Sequence, residues 1–437
     1  MSQQLHRSSR DRLEQALARI ADPRGEGARA CLTVYADTAR KEAAAADERA
    51  ARGAGLGPLD GVIVSIKDLF DVAGEPTRAG SKVLADEAAP AAADAAIVQR
   101  LRAGGAVIVA KTNMSEFAFS GLGANPHFGT PANPRDRSRV PGGSSAGAPV
   151  AVIDGMCAIA IGSDTGGSVR IPAAFCGLVG FKPSRQRVPT AGAFPLSTTL
   201  DSIGPIAASV GACAKADAVM AGEGFSPIEP AALAGLRIGI ADGLPLDRLD
   251  AAVSSAFSAA VAALDQAGAR ITQERLLLLD DMVAVNARGG IVPPEACALH
   301  RDRLRRRAAD IDSNVRVRIE RGCAVTQADY EAMLQDRARL VAAMDMRLSG
   351  LDALIMPTAS IVAPTIAEVE DSKVFAACNA AALRNTGIIN FFDLCAVSLP
   401  LPVGSGALPV GLMLAARNGS DRRLLQIAES IMMLFGA

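Results

Sequence analysis

Short apolar runs of β type recur along this chain with helix-length segments between them, and that alternation restricts the fold more than any other feature. From Gly61 onward, Val62 to Ile66 is one such run, Ala95 to Ala103 has helical spacing, and Ala106-Val107-Ile108-Val109-Ala110 is the next run. The order is βαβ in character and predicts an α/β fold. The texture returns at Leu236 to Ile240, which is followed by an amphipathic helix over 250–268. Further strands are expected at Asp352 to Met356, Cys395 to Leu399 and Pro409 to Leu414. Residues 9–52, rich in Ala, Arg and Glu, predict two or more helices ahead of this core.

The chain has 437 residues, of which 50% are hydrophobic and 21% charged, enough apolar material for a large core. A formal charge of -1 with interspersed signs gives no basic footprint, so neither nucleic acid nor an anionic membrane is an expected direct ligand. No apolar run approaches the roughly 20 residues that span a bilayer, and residues 1–22 lack the apolar stretch of a secretory leader. The expected compartment is the cytoplasm. Eight cysteines are scattered without a C-x-x-C pair or clustered His, which indicates neither a disulfide framework nor a zinc site. The many Arg and Asp of residues 300–320 read as a solvated helical face.

Chemistry is concentrated in three clusters. Gly121 to Gly147 has the Gly, Pro, Asn and Ser content of a long functional loop, and it contains Pro141-Gly142-Gly143-Ser144-Ser145-Ala146-Gly147. An apolar helix-and-strand stretch, Ala148 to Gly162, separates it from Ser163-Asp164-Thr165-Gly166-Gly167-Ser168-Val169-Arg170. Neither cluster has the Gly-Lys-Ser/Thr ending or the G-x-G-x-x-G form of a phosphate-binding loop. The third cluster, Ser65-Ile66-Lys67-Asp68, ends an apolar strand. A lysine there is partly desolvated, which lowers its pKa and makes its amine a base.

Together these clusters resemble the amidase signature family, whose motif of Gly-Gly-Ser-Ser followed by Asp-x-Gly-Gly-Ser-x-Arg is present with Ser144 and Ser168 24 positions apart. The resemblance covers residues 61–184 most strongly, through Lys111-Thr112-Asn113, Asn125-Pro126-His127-Phe128-Gly129, Phe175-Cys176-Gly177 and Gly180-Phe181-Lys182-Pro183-Ser184. It continues more weakly through Asn390 to Cys395 and Gly406 to Leu414. One departure is Ala146, where many members have Gly; a methyl group is tolerated there if φ is negative.

The resemblance implies a single α/β/α sandwich with a large mixed central sheet: an N-terminal helical segment (1–60), the signature core (61–230), and a C-terminal part of the same sheet (231–437). It implies hydrolysis of a small carboxamide, or of an aryl or carbamoyl amide, to carboxylate and ammonia or amine, with Ser168 as nucleophile, Ser144 as proton relay behind a cis Gly143-Ser144 bond, and Lys67 as base. The backbone of Thr165, Gly166, Gly167 and Ser168 would form the oxyanion hole, while Ala118, Phe119 and Ser120, with Ser144, would line the substrate site. No metal or organic cofactor is implied. Holding a lysine neutral at pH 7 costs about 4 to 5 kcal/mol unless its site depresses the pKa.

His6, His127 and His300 are read as surface, loop-packing or satisfied core residues, which disfavours a Ser-His-Asp triad. Two rival readings share the motifs: the glutaminase component of a tRNA-dependent amidotransferase, and an inactive binding module on the same fold. A homodimer is an assembly open to the chain.

Overall fold

The computed structural model describes residues 8–436, so His6 lies outside the described residues. The strands in chain order are β1 (Cys31–Val34), β2 (Ile63–Lys67), β3 (Val107–Thr112), β4 (Ile159–Ser163), β5 (Val179–Lys182), β6 (Ile203–Ala207), β7 (Arg237–Asp242), β8 (Arg270–Arg275), β9 (Ala353–Pro357), β10 (Cys395–Pro400) and β11 (Gly411–Ala416). All eleven join one sheet in the order β1-β3-β2-β4-β6-β5-β10-β11-β9-β7-β8. β2 is parallel to β3 and β4, and β7 is parallel to β8 and β9, while the remaining pairs are antiparallel. The sheet is therefore mixed and large, as the family resemblance implied.

Helices cover both faces because the strands at its centre are apolar on both sides. All five residues of β2 are buried. By alternation, Ile63 packs in a cluster with Ala148, Val150 and Ala151 of helix Gly147–Ile153, and Val64 and Ile66 pack in the opposite cluster. Helix Ala251–Gln266 turns Val253, Phe257, Ala260 and Leu264 inward at helical spacing and lies near the expected 250–268. Helix starts are secured locally: Ser8 accepts from the Asp11 N–H and Asp371 from the N–H groups of Lys373 and Val374.

Two expectations are corrected. Residues 9–52 do form helices, at Ser9–Ala21, Gly27–Ala30 and Ala36–Ala51, but Cys31–Val34 between them is an edge strand paired antiparallel with β3. Its four residues carry only Cys, Leu, Thr and Val, too short a run to outweigh the helical sequence around it. A disulfide, Cys297–Cys323, is also present; its cysteines are 26 positions apart. It links helix Val292–Arg307 to the end of helix Ser313–Gly322. The pairing depends on how two helices pack, which no local spacing displays. No helix of the described residues is long and apolar enough to cross a membrane.

Candidate active site

The central strands deliver the three sequence clusters to one region. β2 and β4 are parallel neighbours, so Lys67 at the end of β2 and Ser163 at the end of β4 emerge on the same edge. Lys67 is fully buried. Its Nζ lies 2.7 Å from Ser144 Oγ and 2.8 Å from Ser163 Oγ. Burial is the largest influence on this amine and pulls its pKa down to about 7, against the smaller opposing pull of Asp201 and Asp164. Most of the cost of a neutral lysine at pH 7 is thereby met by the site itself.

Ser144 is buried in a turn with little room for side chains. The Gly143–Ser144 bond is cis. A Cβ on Gly143 would stand 2.4 Å from the Gly123 nitrogen, so only glycine fits there. Ala146 has φ -64° and ψ -43° and accommodates its methyl group without strain, which resolves the departure noted in the loop. The Ser115 N–H donates to the Ser144 carbonyl at 3.0 Å and ties this loop to the segment that carries Phe117 to Ser120.

A second loop, between β4 and helix Arg170–Cys176, presents Ser168. Its frame is the fully buried pair Asp164–Arg170, 2.8 Å apart. Burial, the largest single influence, would raise the Asp164 pKa, but Arg170, Lys182 and Asn390 together outweigh it and hold the carboxyl at about 2. Asp164 also accepts from the N–H groups of Gly167 and Val169, and Asn390 Nδ2 donates to it at 3.0 Å. Across the loop Thr386 Oγ1 donates to the Gly166 carbonyl at 2.6 Å. Gly167 has φ 134°, and a Cβ on it would stand 2.2 Å from Thr386 Oγ1, which is why the loop needs glycine at this point.

Of the four residues expected to supply the oxyanion donors, the Gly167 N–H donates to Asp164 Oδ1 at 2.8 Å. Among the described residues, the N–H groups of Thr165, Gly166 and Ser168 have no protein acceptor.

Ser168 opens onto a cavity of about 360 Å³ that is also lined by Ala118, Phe119, Ser120, Thr165 and Gly166. All three residues of 118–120 expected at the substrate site are therefore on its wall. Phe117 and Ala118 hold positive φ, 51° and 60°, where the chain turns sharply into this wall. Ser144 lies outside the lining and faces Lys67 instead. No hydrogen bond closes the link from Ser168 to Ser144 in this structure.

Three contributors carry no sequence signal for a role at the site. Ser163 belongs to the second cluster, yet nothing in the motif marks its hydroxyl as a partner of Lys67. Asp201 accepts from Thr165 Oγ1 at 2.5 Å, and burial lifts its pKa to about 6. Arg318 lines the cavity and corrects the reading of residues 300–320 as a wholly solvated face, since one arginine of helix Ser313–Gly322 turns inward.

The two described histidines, His127 and His300, take structural positions. His127 Nε2 is 3.1 Å from Glu116 Oε2 in a loop stapled by Asn125, whose Oδ1 accepts from the N–H groups of His127 and Phe128. His300 is buried with its ring 4.0 Å from that of Phe117, and burial pushes its pKa down to about 3. Neither lines the cavity.

A mixed sheet lies between helical layers, with Lys67 bonded to Ser144 at the end of β2 and the Ser168 loop following β4, an architecture of the α/β/α type. The chain belongs to the Amidase family, whose model matches residues 11–425. It is 38% identical over 407 residues to a 2-amino-5-chloromuconic acid deaminase of Comamonas testosteroni, covering 91% of this chain and 87% of that one. It is 34% identical over 452 residues to the A component of a glutamyl-tRNA(Gln) amidotransferase of Symbiobacterium thermophilum, covering 95% and 91%. A crystal structure of an amidase superposes with a TM-score of 0.87 at 33% identity, covering 98% of this chain and 97% of that one. The protein is accordingly an amidohydrolase acting on carbon–nitrogen bonds of linear amides.

Proposed function

We propose that Ser168, Ser144 and Lys67 act as nucleophile, relay and base in hydrolysis of a small carboxamide. The observation that carries this is the buried Lys67 amine, hydrogen-bonded to two serine hydroxyls with its pKa near 7, which supplies a neutral base with no carboxylate bonded to it. Ser168 Oγ attacks the amide carbon while its proton passes through Ser144 Oγ to Lys67 Nζ. The link between the serines tightens when substrate seats, as catalytic hydrogen bonds commonly do. The developing oxyanion is met by the free N–H groups of Thr165, Gly166 and Ser168; one such donor is typically worth about 3 to 4 kcal/mol.

Collapse of the intermediate breaks the C–N bond, and the proton on Lys67 returns through Ser144 to the leaving nitrogen. Water then attacks the Ser168 ester and gives its proton to Lys67 by the same route; as the carbon–Oγ bond breaks, that proton returns through Ser144 to Ser168 Oγ, and the carboxylic acid is released. No step calls for a metal or organic cofactor. We further read the chain as one domain over 1–437, working in the cytoplasm on a small-molecule amide, with a homodimer as one assembly open to it.

The test is ammonia release from a panel of simple amides, ureas and glutamine, with Ser168→Ala alongside, and a serine-directed phosphonate whose adduct is mapped. Turnover and an adduct on Ser168, both lost in Ser168→Ala, support the reading. A folded protein unlabelled at Ser168 favours the binding module. The likeness to an amidotransferase component favours the glutaminase as a second reading, and stimulation of glutamine hydrolysis by a partner protein would establish it.

A further inference from the structure

The cavity beside Ser168 has an unusual charge balance. Arg318 and Arg384 both line it, and its lining contains no Asp or Glu. Its other polar side chains are those of Ser120, Thr165, Ser168 and Asn286, and the rest of the wall is mostly apolar.

Arg318 is held but not neutralised. Its guanidinium carbon lies 4.3 Å from the centroid of the Phe119 ring, so the aromatic face supports the cation from one side. Its buried Nη1 has no hydrogen-bond partner among the described residues, and no carboxylate pairs with the side chain there. Burial pulls its pKa down to about 10, which leaves it charged at neutral pH. Arg384 is half-buried and donates only to neutral acceptors, Asn385 Oδ1 at 3.2 Å and the Pro245 carbonyl at 3.4 Å. Among the described residues, Arg318 has no carboxylate paired with it, and Arg384 has Asp247 in its neighbourhood but forms no ion pair with it. Guanidinium groups left in this way destabilise an otherwise apolar wall, and that cost is offset when a ligand brings the anion.

We propose that Arg318 and Arg384 select amides whose non-reacting end carries carboxylate and no ammonium group, the monoamides of dicarboxylic acids being the simplest class. The inference rests on the assignment of Ser168 as nucleophile. A carboxylate at the arginine wall completes the donor set of Arg318, and the apolar wall suits the hydrocarbon between carboxylate and amide. Free glutamine carries an α-ammonium as well. That cation meets two like charges and no acid on the cavity wall, so glutamine is a poor substrate despite its carboxylate.

The experiment compares kcat/KM for succinamate, its neutral counterpart succinamide, and glutamine, in wild type and in Arg318→Gln, Arg318→Lys and Arg384→Gln, with melting temperatures to verify folding. In parallel, binding of malonate, succinate and glutarate is measured by calorimetry, which needs no turnover. Wild type is expected to favour succinamate over both other amides by roughly 100-fold, and Arg318→Gln to shrink the succinamate-to-succinamide ratio by a similar factor. Dicarboxylate binding is expected to weaken in parallel, with Arg318→Lys recovering part of it. An unchanged ratio in the folded variants, glutamine turned over as well as succinamate, or no dicarboxylate binding to wild type would each overturn the proposal. Succinamide hydrolysis that persists in Ser168→Ala would instead overturn the nucleophile assignment, with the dicarboxylate titrations still deciding the role of the arginines.

Discussion

Lys67 Nζ stands 2.8 Å from Ser163 Oγ, which lies at the end of β4, two residues past the Ile161 that pairs with Ile66. The amine therefore rests between two hydroxyls, those of Ser144 and Ser163. A second partner fixes where the lone pair points when the proton has left, which a single hydrogen bond on a flexible side chain does not do. Ser163→Ala is expected to reduce kcat/KM by roughly tenfold, as loss of orientation. It also shifts the pH profile to lower values, because the ammonium loses an acceptor. A kinetic pH profile of the variant checks both.

Native Lys67 loses its proton near pH 7, whereas an ordinary lysine keeps it to 10.5. Between these values the unfolded chain binds one more proton than the folded protein, so this residue makes stability rise with pH across that window. In the proposed mechanism activity follows the same neutral amine, and kcat/KM is expected to climb through an ionisation near 7. Lys67→Met removes its part of the stability slope, measurable by urea denaturation at several pH values.

Arginine cannot serve as the neutral base. Lys67→Arg should be as inactive as Lys67→Ala, with losses of roughly 10³-fold or more. Steady-state assays of the two variants, with circular dichroism to confirm folding, provide the check.

Asp201 opposes the depression of the Lys67 pKa, since its negative charge favours the ammonium. Asp201→Asn removes that charge while keeping an acceptor for Thr165 Oγ1, which now bonds to Asp201 at 2.5 Å. The rising limb of the kcat/KM profile should move to lower pH. A limb displaced upward would contradict the electrostatic account.

Asp164→Asn leaves Arg170 fully buried without its anion and weakens the acceptor of the Gly167 and Val169 N–H groups. Breaking a buried pair in this way costs about 3 to 5 kcal/mol. Chemical denaturation of the variant should show a loss of that size, together with lower activity as the Ser168 loop loses its frame.

Much of this site is legible in the residues. Lys67 stands out because an ammonium at the end of Val62 to Ile66 is out of place unless it has a purpose, and both serine loops carry glycines that close approach requires. What stays hidden depends on chain brought from far away. Asp201 and Arg318 reach the site from outside both motifs, and each resembles an ordinary charged residue in its own stretch. Arg318 in particular sits on a helix with several arginines, so its inward turn is set by packing against Phe119 rather than by composition. Likewise, the Cys31–Val34 strand exists because β3 offers it an edge, a partner that its own four residues do not specify.

The strand order carries a consequence for biosynthesis. β10, made near residue 395, sits between β5 and β11, and Asn390 just before it donates to the Asp164 that frames Ser168. A nascent polypeptide whose Lys67, Ser144 and Ser168 have left the ribosome still lacks the neighbour that holds the Ser168 loop. In the proposed mechanism amide-cleaving capacity is therefore expected to switch on late in translation, with chains arrested before that point inert rather than prematurely active.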